Sequence, residues 1–291
     1  MDAYERSNRI EAAALSRVAA IYAKALTTAL ENKRAFLRKI KAVDEGRIKP
    51  PQYYIDRGQE AKWREGFVKQ LIRQECIIDG IIEELNRAGV DAADVIKQSL
   101  RDIYIENRKE TAEFVAQSPE GKRVGISFAM PKGREIEVLM QKNESPFSKL
   151  AYENMGKNPV IRKRLQAELA MAAVLGESQR EIIKRIRKIT GQSESQARRV
   201  AQTERTRVQS QARWQVGQEA AQKGVRVVNE WSARMVNTRD SHAALDGTKK
   251  PQGEPFVTIW GNKLRYPGDP EAPAREVINC HCVLVPDVEE E

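Results

Sequence analysis

Apolar residues recur at Ile10, Ala14, Val18, Ile21, Ala25 and Ala29, in steps of three or four. That spacing lines one face of a long helix and commits the start of the chain to helical packing. The helix is expected from Asp2 to Val43, ended by Gly46 and the Pro50-Pro51 pair. A second stripe, Trp63, Phe67, Leu71, Ile78, Ile82 and Leu85, predicts a helix from Gln59 to Ala88 that stops at Gly89. Cys76 lands on or beside this stripe and is expected in the core. Asp91 can cap a third helix reaching Ala116. Ser118-Pro119-Glu120-Gly121 reads as a turn, the alternation of Val124, Ile126 and Phe128 as one short strand, and Pro131-Lys132-Gly133 as another turn. The polar stretch from Asn143 to Asn158 predicts a short helix, and a domain boundary is expected near it, at 150/151.

Helices resume at Pro159. One is expected to Leu175. The next has Ser178 as N-cap with Glu181 three residues on, a capping box, and ends at Gly191. Ser193 and Gln196 form a second such box, and a helix starting at Ser193 or Ser195 runs to Gly224. The texture then changes. Val225 to Trp231, Phe256 to Ile259 and Glu276 to Val285 read as strands. Asp246-Gly247, Gly253, Gly261 and Pro267-Gly268-Asp269-Pro270 supply turns between them. The acidic end, Asp287 to Glu291, is expected to fray. The fold class is therefore mainly α, with a helical N-terminal half (1–150). A second domain (151–291) has helices over 159–224 and a small α+β C-terminal module over 225–286.

No apolar run approaches the ~20 residues that a membrane span needs. The N-terminus is polar, and the three cysteines offer no disulfide framework, which suits a reducing cytoplasm. The formal charge of +9 favours contact with a polyanion. It concentrates between Arg180 and Arg213, where ten Lys or Arg face three Asp or Glu. Ile182, Ile183, Ile186 and Ile189 take one helical face and leave the charges on the other. Lys184, Arg185, Arg187, Lys188, Arg198, Arg199, Arg205 and Arg207 are the candidate phosphate contacts, gaining free energy by counterion release. A solvated face, or arginines paired with acidic neighbours, is the alternative. The Gly191-Gln192-Ser193 joint also gives a helix-turn-helix outline, although the stripe is short of the amide and small side chains that read base edges.

Cys280 and Cys282 sit at i and i+2 in the last expected strand, which would put both thiols on one face and His281 on the other. With His242, 38 positions upstream of Cys280, they offer two thiolates and one imidazole, a donor set suited to a structural zinc. Asp240, Asp246 or water would complete a tetrahedron. The alternative is two cysteines packed as small hydrophobes and a hydrogen-bonding loop histidine. With two histidines in all, no nucleophile elbow and no P-loop, catalysis finds little support.

Several short pieces occur in a specific order. They are Ala201-Gln202-Thr203-Glu204-Arg205, Trp231, Thr238-Arg239-Asp240-Ser241-His242, Leu245-Asp246-Gly247, Glu254-Pro255-Phe256, Tyr266-Pro267-Gly268-Asp269-Pro270 and Ile278-Asn279-Cys280-His281-Cys282. In order and spacing they resemble the Mu F-like domain of phage head morphogenesis proteins, over roughly Pro159 to Pro286. The chain departs from that pattern at Met235-Val236-Asn237, where an acidic residue is often found, and at His281, where the family often has Arg. The resemblance implies a minor head protein inside the capsid, assembled in the host cytoplasm. Its expected partners are the portal protein, capsid or scaffold proteins and, without sequence preference, double-stranded DNA. It implies no enzyme. The competing readings are a sequence-specific helix-turn-helix protein and a metal-dependent hydrolase or nuclease built around His242.

Overall fold

The structure is a computed structural model describing residues 3–142, 146–157, 159–235 and 237–289. In chain order it forms α1 (Ala3–Asn32), α2 (Arg34–Asp44), α3 (Gln52–Ile55), α4 (Glu60–Gln74), α5 (Ile77–Gln117), α6 (Pro119–Val124), α7 (Arg134–Lys142), α8 (Pro146–Gly156), α9 (Pro159–Val174) and α10 (Gln179–Gln222). Then follow β1 (Val227–Ser232), α11 (Asp240–Ala243), β2 (Lys249–Pro251), β3 (Phe256–Val257), β4 (Lys263–Leu264), α12 (Ala274–Val277) and β5 (Val283–Val288). Long helices and a small strand-bearing C-terminal module are thus both present. No described helix is long and apolar enough to cross a membrane.

The chain forms two compact units, each built from separate segments. One comprises Met1–Ser16, Asp94–Tyr152 and Arg198–Glu291; the other comprises Arg17–Ala93 and Glu153–Ala197.

The 17–93/153–197 unit is a helical assembly with an aliphatic interior. Val18, Tyr22, Ala25 and Ala29 of α1, Phe36, Leu37 and Ile40 of α2, Ile77, Ile81 and Leu85 of α5, Leu165 and Leu169 of α9 and Ile182, Ile186 and Ile189 of α10 are all buried. The helix expected to run to Val43 breaks at Lys33. Lys33 Nζ donates to the Glu75 carbonyl at 2.9 Å, satisfying an acceptor at the end of α4. There the chain turns again, and Cys76, at φ 45°, is exposed rather than in the core. Gly89 does not stop a helix. It lies inside α5, where a Cβ would meet the Met155 carbonyl oxygen at 1.6 Å, so its role is to let another backbone come close. The capping box is present: Glu181 accepts from Ser178 N at 2.8 Å. Asp44 accepts from Gln179 N at 2.9 Å and from Arg64 at 2.8 Å, placing an acid at the start of α10.

α10 then runs unbroken through Gly191. The buried positions Ile182, Ile186, Ile189, Ser193, Ala197 and Val200 keep helical spacing across the expected turn. Ser193 belongs to that stripe rather than capping a new helix. The helix-turn-helix outline is therefore absent, because one glycine costs only about 1 kcal/mol against a continuous apolar face.

The other unit centres on a three-stranded antiparallel sheet in the order β2-β1-β5, with Trp231 opposite Leu284. A two-stranded ribbon pairs Phe256 with Leu264. Trp231, Leu245, Phe256, Leu264, Tyr266, Cys280, Cys282 and Leu284 form one buried cluster, against which Trp214 of α10 packs. Ala112, Val115, Ile126, Val216, Ala220, Val225 and Val227 form a second. The strand expected at Val124 to Phe128 is absent. Val124 ends α6, which Ser118 caps by accepting from Gly121 N at 3.0 Å, and Ile126 is buried singly in the second cluster. α7 was not expected. The helix expected between Asn143 and Asn158 is α8, while residues 143–145 and 158 themselves lie outside the described residues. Asp287 sits in β5 opposite Val228, against the expectation of fraying; Glu290, Glu291 and Val236 lie outside the described residues.

Candidate metal centre

Each of the short sequence pieces has a defined place in the strand-bearing unit. Arg239 donates to the Arg275 carbonyl and, at 2.6 Å, to that of Ile278, holding the chain that follows α12. This sets α11, and with it Ser241 and His242, over Glu276. Asp246 accepts from Ala233 N at 2.7 Å and fixes the next turn. Asp269 is buried and binds Arg265 N at 2.8 Å and the Arg265 guanidinium at 2.6 Å. Beside it Gly268, at φ 80°, has no room for a Cβ, which would lie 2.8 Å from Arg207 Cα. α10 grips the cysteine segment: Thr206 donates to the Cys280 carbonyl at 2.5 Å, Gln202 to the same oxygen at 3.2 Å, and Asn279 N donates to Thr203 Oγ1 at 3.1 Å.

These restraints converge on three side chains. His242, Cys280 and Cys282 are 1%, 2% and 3% exposed, and their donor atoms lie within 4.8 Å of one another. Cys280 Sγ is 3.4 Å from His242 Nδ1, and Cys282 Sγ is 3.5 Å from the same nitrogen. The cysteines are not on a strand as expected. Asn279, at φ 58°, turns the chain after α12, and β5 starts only at Val283. The thiols nevertheless meet the same imidazole. Asp240 is exposed and Asp246 is engaged with Ala233, so neither joins the cluster.

On the far side of the ring, His242 Nε2 lies 3.1 Å from Glu276 Oε2. Glu276 is fully buried and accepts from Ser241 at 3.1 Å, Thr258 at 3.2 Å and Asn262 at 2.6 Å. Burial raises the pKa of its carboxyl, but these hydrogen bonds and the nearby imidazole outweigh it and hold the group below the ordinary glutamate value. A hydrogen bond from Cys280 holds Cys282 below the ordinary thiol value against its burial, with His242 and Trp231 adding to the effect. Cys280 is pushed up by sharing that proton and by burial. Sequence reasoning missed Glu276, Ser241, Thr258 and Asn262. Glu276 lies four residues before Cys280, inside the span whose sequence reads as strand, although it sits on a single helical turn.

The candidate phosphate contacts divide. Lys184, Arg187 and Lys188 are exposed in one unit, and Arg198 and Arg199 in the other. Arg185 is held between Glu177 and Glu168. Arg205 and Arg207 are each 4% exposed. Arg205 pairs with Glu11 at 3.4 Å and donates to Asn8; Arg207 pairs with Glu204 at 2.7 Å. These two do not present a surface to a polyanion. Their acidic partners fix them inside, and Glu204, three residues before Arg207 on a helix, was the available signal.

Residues 163–285 match the family model described as Phage Mu protein F like protein. The chain is also 27% identical over 222 residues to the minor head protein GP7 of Bacillus phage SPP1, covering 73% of this chain and 68% of that protein. The likeness is thus to the Mu F-like pattern over residues 163–285 and to a minor head protein over most of the chain. No solved structure matches it.

Proposed function

We propose that this chain is a minor component of a phage head that acts in head assembly beside the portal and touches packaged DNA without reading its sequence. The observation that carries the reading is the likeness to a minor head protein over most of both chains. The burial of the His-Cys-Cys cluster supports an architectural role over hydrolysis, because donors 1–3% exposed offer no path to a substrate. In this reading the Mu F-like region, 151–291, supplies the fold that the family shares, and the helical region, 1–150, supplies surface for capsid or portal partners. The virion interior is the site of action, after assembly in the host cytoplasm.

DNA contact falls to Lys184, Arg187, Lys188, Arg198 and Arg199, which are exposed. Binding to unrelated duplexes should be equal in affinity and should weaken steeply with salt. Charge reversal of these five should abolish it, whereas sequence preference or salt-independent binding would argue against the reading. Co-expression with the cognate portal protein should yield a complex that survives gel filtration. Separate elution of the two folded proteins would remove the portal from the account.

A further inference from the structure

We propose that His242 Nδ1, Cys280 Sγ and Cys282 Sγ hold one zinc ion, and that Glu276 is the positioning residue that presents the imidazole to it. The proposal does not depend on the head-assembly reading. It rests first on spacing. A zinc bound tetrahedrally at Zn–S of about 2.3 Å and Zn–N of about 2.0 Å holds sulfur and nitrogen roughly 3.5 Å apart. The two sulfurs lie 3.4 and 3.5 Å from Nδ1. It rests second on the placement of Glu276 across the ring from the thiols. Ser241, Thr258 and Asn262 all give hydrogen bonds to Glu276, fixing its carboxylate 3.1 Å from Nε2. The carboxylate lies on the Nε2 side of the ring while Nδ1 faces both sulfurs, so a proton carried on Nε2 would leave the Nδ1 lone pair to the ion. This is the orientation in which a carboxylate–histidine pair serves a metal.

The chemistry of the donor set selects the metal. Two thiolates and an imidazole are borderline-to-soft ligands, which suit zinc and exclude calcium and magnesium. Zinc binding displaces the thiol protons to solvent and leaves the ion's two positive charges balanced by two thiolates. The three protein donors leave a fourth position for water or another small donor. The ion would tie the α11 turn to the segment entering β5. Both segments are short and irregular, and in so small a module such a link contributes much of the stability.

The test uses the full chain, purified without a polyhistidine tag under reducing conditions with zinc supplied and then dialysed. Elemental analysis should find about one zinc per chain. A chelator should remove it and lower the melting temperature, and added zinc should restore both. Cys282→Ser should lose the ion, and Cys76→Ser, altering an exposed thiol elsewhere, should keep it. Glu276→Gln should bind zinc about 10–100-fold more weakly, as loss of an outer carboxylate does at other sites. Unchanged affinity in that variant would remove the positioning role. If Cys282→Ser fails to fold, cobalt added to the metal-free natural chain decides the matter. Thiolate-to-cobalt charge transfer with tetrahedral visible bands supports the site, and their absence overturns it. Substoichiometric zinc in folded protein, or zinc retained when both cysteines are serine, also overturns it.

Discussion

The two units solve the same problem, burying long helices, with different materials. In the 17–93/153–197 unit the interior is aliphatic, and the charged groups form pairs at its margins, as with Arg64–Asp44 and Arg185 between Glu168 and Glu177. In the strand-bearing unit, polar groups are built into the core. Asn107 accepts from Arg213 at 2.9 Å, Arg213 reaches the Leu284 carbonyl at 2.9 Å, and Glu204, Arg207, Asp269 and Glu276 are all buried with partners. An aliphatic stripe tolerates many sequences of similar volume, whereas a buried polar pair tolerates few, because each half is costly without the other. The short pieces from Thr203 to Cys282 fall in the strand-bearing unit.

The largest expected effect tests that contrast. Glu204→Ala removes the carboxylate that pairs with the buried Arg207 guanidinium and should cost about 3–5 kcal/mol in denaturant unfolding. A loss under about 1 kcal/mol would show that the buried pair is dispensable. Gly89→Ala comes next. Its Cβ would collide with the Met155 carbonyl, and forcing extra bulk into a packed contact should cost about 1–3 kcal/mol. No change in stability would mean that α5 and α8 separate easily. Arg185→Ala, removing two partly exposed ion pairs, should cost at most about 1 kcal/mol. A larger loss would erase the distinction between marginal and buried pairs. Least of all, Lys188→Gln and Arg199→Gln should each stay within about 0.5 kcal/mol in stability while weakening DNA binding.

The same contrast decides what could be read from the sequence. Helical stripes, the Ser178–Glu181 box and the end of α10 near Gly224 were legible because they depend on neighbours within a turn or two. Gly89 and Gly191 misled, since a glycine marks either a helix end or a tight approach, and only the packed neighbour distinguishes them. Val124 to Phe128 alternates like a strand, but no partner strand pairs with it. At the metal centre, residue type alone linked His242 with two cysteines 38 and 40 positions away. The irregular path that brings the thiols together depends on Asn279 and on hydrogen bonds from α10, which no local pattern announces. Arginine is usually exposed, so the charge pattern of α10 by itself places Arg205 and Arg207 on the surface. Their burial depends on Glu11 and Glu204, of which the first is remote in sequence.

The central claim, that this chain is built into a phage head, is tested most directly by quantitative mass spectrometry of purified heads and virions, with the portal protein as internal standard. The account predicts the chain in both, at a few to a few tens of copies per particle and in a fixed ratio to the portal. Its absence from heads and virions alike, in cells that express it, would contradict the account.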